Sequence, residues 1–73
     1  MIYKIRIKII DKESTLVKIF SLTRKLQFII YKINFEKFDK YSILYLEIKG
    51  GDKFNLLLKS LYTITGILSI DVL

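Results

Sequence analysis

The feature that most constrains this chain is a change of hydrophobic period within Ile10-Asp11-Lys12-Glu13-Ser14-Thr15-Leu16. Before that stretch, residues 2–10 alternate. Tyr3, Ile5, Ile7 and Ile9 point one way, and Lys4, Arg6 and Lys8 point the other. A period of two over this length predicts a half-buried strand with a basic outer face. After it, Leu16, Ile19, Phe20, Thr23 and Leu26 recur at helical spacing, predicting an amphipathic helix over 15–26. Ser14 or Thr15 is the expected N-cap. Arg24 and Lys25 complement the negative end of the helix dipole.

The same switch occurs again downstream. Residues 28–35 are β-branched and aromatic, predicting a second strand with Tyr31, Ile33 and Phe35 on one face and Ile30, Lys32 and Asn34 on the other. A charged turn leads to a third strand at 41–49, with Leu44, Leu46 and Ile48 inward and Ile43, Tyr45, Glu47 and Lys49 outward. Gly50-Gly51-Asp52 ends it, with Asp52 the expected N-cap of a second helix carrying Phe54, Leu57, Leu58 and Leu61. Thr63 to Gly66 interrupt that pattern, and a last strand follows with Leu68, Ile70 and Val72 in phase. The order β-α-β-β-α-β implies an α+β, ferredoxin-like sandwich. It has a four-stranded antiparallel sheet and two helices on one face. Residues 1–73 form one domain, with no linker.

In that topology the second strand lies on an edge. The run from Leu26 to Phe35 is apolar and proline-free, so an open edge would template aggregation. Pairing with the same strand of another copy removes the hazard. Phe28, Ile30, Lys32 and Asn34 are the residues expected to line that dimer edge.

Composition narrows the chemistry. A 73-residue chain supports only a thin core, and association is the staple left to it, because cysteine and histidine are both absent. Their absence also removes disulfides, thiolate chemistry, the usual zinc sites and histidine acid–base catalysis. The seven acidic residues, Asp11, Glu13, Glu36, Asp39, Glu47, Asp52 and Asp71, form no recognisable pair with a base or nucleophile. Gly50-Gly51 lacks the spacing of a phosphate-binding loop and reads as a strand-to-helix turn. The net charge is +6, but 11 of the 13 basic residues are lysine, which composition bias explains better than function does. No apolar run approaches the ~20 residues that cross a bilayer, and the expected location is the cytoplasm.

The segment from Asp11 to Leu16, with the helix after it, resembles the first loop of ACT domains, whose usual form is Asp-x-Pro-Gly-x-Leu. Asp11, Thr15 and Leu16 hold the corresponding places. Phe28-Ile29-Ile30 resembles the start of that family's second strand. Leu57 to Leu61 with Ile67 to Ile70 resemble its closing helix and strand. Within the family the chain is most similar to the small regulatory subunit of acetolactate synthase, in its short single-domain form.

The resemblance implies a non-catalytic protein that binds a large catalytic subunit in branched-chain amino-acid synthesis. It implies no cofactor on this chain; thiamine diphosphate, FAD and magnesium belong to the catalytic partner. It places an amino-acid site at Asp11, Lys12, Glu13, Ser14, Thr15, Ile29 and Ile30. Two departures bear on that site. Ser14 replaces the ligand-binding glycine, crowding the backbone N–H groups that would meet a carboxylate. Ile29 replaces an asparagine of valine-sensitive members. Activation with weak or no valine feedback is therefore expected. The alternatives are a free-standing amino-acid-binding ACT module serving another enzyme, and a basic RNA-binding module using Lys4, Arg6, Lys8, Lys32, Ile43 and Tyr45. The third strand lacks the glycine and aromatic spacing of RNA-recognition domains.

Overall fold

The computed structural model describes residues 1–10 and 13–73. Six elements follow one another: β1 (Ile2–Ile9), α1 (Glu13–Lys25), β2 (Ile29–Lys37), β3 (Ser42–Lys49), α2 (Phe54–Leu61) and β4 (Ile67–Val72). The strands form one antiparallel sheet in the order β2-β3-β1-β4. This is the ferredoxin-like sandwich that the period changes predict.

The core sits between the sheet and the two helices. Ile5, Ile7 and Ile9 of β1 and Leu44, Leu46 and Ile48 of β3 meet Ile19 of α1 and Leu57 and Leu61 of α2, with Phe28 at one end. Each such side chain contributes about 1.5–3 kcal/mol on full burial, so these few residues carry most of the drive to fold. β1 and β3 pair without interruption from Ile2 opposite Lys49 to Ile9 opposite Ser42, which keeps both alternations in phase.

The edge strands differ from expectation. Each carries a bulge, one extra residue that moves the following side chains to the other face. In β2 the extra residue is Tyr31: Ile30 opposes Ile48, and Lys32 opposes Glu47. Ile30 therefore shares the helix-side face with Ile33 and Phe35, whereas Ile29, Lys32 and Asn34 face outward. In β4 the extra residue is Leu68, so Ile67 opposes Ile9 and takes the inward place expected of Leu68, which is left exposed.

The helix ends also differ. α1 begins at Glu13, which puts Ser14 and Thr15 inside its first turn and excludes both as N-caps. Its other end is closed by the backbone. The N–H of Phe28 donates to the Thr23 carbonyl at 3.0 Å and that of Gln27 to the Arg24 carbonyl at 2.9 Å, with Gln27 at φ 64°. This is the Schellman arrangement, with glutamine where glycine is usual. α2 has Lys53, not Asp52, at its N-cap, and no side chain caps it. The turn before it is fixed by Gly50, whose N–H donates to the Met1 carbonyl at 3.0 Å. A Cβ at Gly50 would overlap the Phe28 ring.

Candidate functional site

The residues predicted to hold an amino acid divide into two groups. Asp11 and Lys12 lie outside the described residues. Glu13 and Ser14, in the first turn of α1, turn exposed faces to solvent. Thr15 is 1% exposed. Its hydroxyl donates to the Thr65 carbonyl at 3.1 Å, and the Ile10 N–H donates to the Gly66 carbonyl at 2.8 Å. Gly66 has φ +103°, a conformation that L side chains rarely adopt, and a Cβ there would press on the Thr15 hydroxyl. The start of α1 is thus stitched to the turn between α2 and β4. Under the same end of the sheet, Ser42 pairs with Ile9 and is fully buried; among the described residues its hydroxyl has no partner.

Ile29 and Ile30 are elsewhere. Ile29 is 63% exposed on the outer face, opposite Lys49, and Ile30 is half-buried opposite Ile48. Both lie at the end of the sheet where β1 begins, while the α1 start adjoins the end where β1 finishes, beside Ser42 and Lys37. The two groups are roughly seven strand positions, or about 23 Å, apart. One copy of the chain does not bring them together.

The residues expected to line a dimer edge differ in exposure. Lys32 and Asn34 are exposed on the outer face of β2. Phe28 is not at the edge: it is 4% exposed, with its ring edge-on to Tyr3 and Phe54, whose own rings stack at 3.9 Å. Sequence reading missed this aromatic group as a unit, because its members come from three separate elements.

The bare face of the sheet carries the basic stripe. Arg6 donates to the Asp71 carboxylate at 3.0 Å, and that bond, with the attraction of the charge, raises the guanidinium pKa further. Lys32 lies 4.0 Å from Glu47, and the Lys8 ammonium sits 4.3 Å over the Tyr41 ring. A shallow concavity of about 180 Å³ lies on this face, lined by Lys4, Lys32, Asn34, Tyr45, Glu47 and Leu73. A more open groove of about 330 Å³ runs between Val17, Leu22 and Ile64 on the helix side, with Lys18 and Lys25 at its rim. Neither is lined by Glu13, Ser14, Thr15, Ile29 or Ile30. Among the described residues no three acidic side chains gather as a cation site, and no helix is long and apolar enough to cross a membrane.

Comparison with solved structures accounts for this architecture. The ACT domain from GTP pyrophosphokinase of Chlorobium tepidum superposes with a TM-score of 0.82 at 25% identity, over 100% of this chain and 97% of that one. The fold is that of an ACT domain. The acetolactate synthase small subunit from Thermotoga maritima has the same ACT-like fold, with a TM-score of 0.78 at 17% identity. That match covers 99% of this chain and 47% of the other. The C-terminal domain of the MgtC protein from Mycobacterium tuberculosis is also similar in fold, with a TM-score of 0.77 at 15% identity, over 99% of this chain and 84% of that one. No protein-family model and no curated protein matches the sequence. The ACT fold is a regulatory one.

Proposed function

We propose that this chain is a regulatory, activating small subunit of acetolactate synthase. It works by binding the catalytic subunit as a homodimer paired through β2, and it responds weakly or not at all to valine. The observation that carries the regulatory reading is the match to an ACT domain over the whole of this chain. The acetolactate assignment rests on the resemblance of the Asp11 to Leu16 loop. The weak response rests on Ser14 in place of the ligand-binding glycine and Ile29 in place of the asparagine of valine-sensitive members. Regulation then consists of a coupling free energy between this dimer and its partner. Thiamine diphosphate, FAD and magnesium would act on the partner alone.

The test is to assay acetolactate formation by the purified catalytic subunit of the same organism with and without this chain. A several-fold rise is expected, and no change would sink the acetolactate assignment. Calorimetry with valine, leucine and isoleucine should give no heat of binding at micromolar effector. The 25% identity to the GTP pyrophosphokinase ACT domain favours a second reading, an amino-acid-binding ACT module serving another enzyme. Tight amino-acid binding with no effect on acetolactate formation would select it. The RNA alternative is weakened by the internal engagement of Arg6 with Asp71 and of Lys8 with Tyr41.

A further inference from the structure

The two edges of the sheet are unequal. β4 has six residues, and its bulge at Leu68 leaves only Ser69 to Val72 in regular pairing. β2 has nine, and after the bulge at Tyr31 the run Lys32 to Lys37 is regular. On the helix-side face of that run Ile33 is 51% and Phe35 39% exposed, because neither helix covers them. On the outer face stand Lys32, Asn34 and Glu36.

We propose that two copies pair antiparallel through β2 with the two-fold axis at Asn34, so that Lys32 of each copy faces Glu36 of the other. This inference rests on the homodimer in the proposed function and adds its register. Antiparallel pairing about an axis at one residue sets side chains equally far before and after it opposite each other. With the axis at Asn34, Lys32 meets Glu36 twice on the outer face and Ile33 meets Phe35 twice on the helix side. Across residues 32 to 36 each charge then meets its opposite and apolar meets apolar, while Lys37 comes opposite Tyr31 at the bulge.

Neighbouring registers do worse. An axis at Lys32 or Glu36 sets like charges against each other. An axis at Phe35 puts Ile33 opposite Lys37, and one at Ile33 leaves Lys32 opposite Asn34. Half-step registers oppose the outer face to the inner one. Within one copy, Glu36 makes no ion pair among the described residues, while Lys32 has only the long approach to Glu47. Both are therefore open to a partner.

The experiment uses sedimentation of the full chain and two single variants, Lys32→Glu and Glu36→Lys, alone and mixed. Each variant alone sets like charges opposite each other twice, and its dimer should weaken about tenfold or more. Mixed, the two restore both attractions as a heterodimer of near-native affinity. A wild-type chain that stays monomeric at every concentration would overturn the dimer itself. A wild-type dimer whose variants are unaffected, or whose mixture is not rescued, would overturn the register and leave the dimer standing. Because the chain has no cysteine, Asn34→Cys gives an independent readout. Its single thiol should form a disulfide-linked dimer on mild oxidation, and failure to do so in a wild-type-like dimer would overturn the register too.

Discussion

Single residues carry most of what is unusual in this chain. Ser42 lies in the core with a hydroxyl that has no partner among the described residues, flanked across the sheet by Ile9 and Lys37. A buried hydroxyl without a hydrogen bond keeps its full desolvation cost, about 1–3 kcal/mol. Ser42→Ala removes that cost and leaves almost no cavity. Thermal unfolding of the variant should show a gain of about 1 kcal/mol, or roughly 4–8 °C for a domain of this size. A loss of stability would mean that the hydroxyl is bonded in solution. Thr23 shows the opposite solution to the same problem. Its buried hydroxyl donates to the Ile19 carbonyl one turn back, at 2.8 Å, and so is satisfied within its own helix. The sequence offers Thr15 as a cap candidate and a ligand-site residue, not as a buried tie. Its true partners, Thr65 and Gly66, lie some fifty positions away, and no local pattern announces them.

At the scale of elements, termination is where sequence and structure diverge, and α1 offers the clearest test. Gln27 holds φ 64° to complete the Schellman closure, a conformation that costs a residue with a side chain about 1 kcal/mol relative to glycine. Gln27→Gly should raise stability by about 0.5–1 kcal/mol in urea titration with no change in the denaturant slope. The central strands were readable because β1 and β3 pair without a break, so their alternation maps directly onto burial. The edges were not, because a bulge shifts the phase by one residue and neither Tyr31 nor Leu68 differs in type from its neighbours. For the same reason Ile30 lies on the face opposite to the one its alternation predicts. Asp52 has the residue type and position of an N-cap. Here the tight passage of Gly50 beneath the Phe28 ring, with its tie to Met1, sets the turn, and Lys53 takes the cap position.

For the whole molecule, the candidate ligand site is the part least contained in one chain. The start of α1 and the pair Ile29–Ile30 sit at opposite ends of the sheet, so residues that looked like one site in the sequence are separated in the fold. Antiparallel pairing of β2 carries the second copy's Ile29 and Ile30 toward the first copy's α1 end. In the proposed dimer the two groups would lie at the same end of the joined sheet, with β2 and β3 between them. If association supplies part of the stability, the melting temperature should climb with protein concentration, since mass action favours a folded dimer over two unfolded chains. Calorimetric scans over a hundredfold range of concentration would show this. A constant melting temperature would identify a monomer stable in its own right.

The exposed run of β2 has a last consequence, for how the protein is supplied. Ile33 and Phe35 sit on an edge whose backbone groups can pair with any extended chain, so an isolated copy offers a nucleus for disordered assembly. Surplus copies are a burden that grows faster than their number, because collisions between them scale with the square of concentration. A cell making this chain gains by matching its output to that of its companions and by degrading the excess promptly.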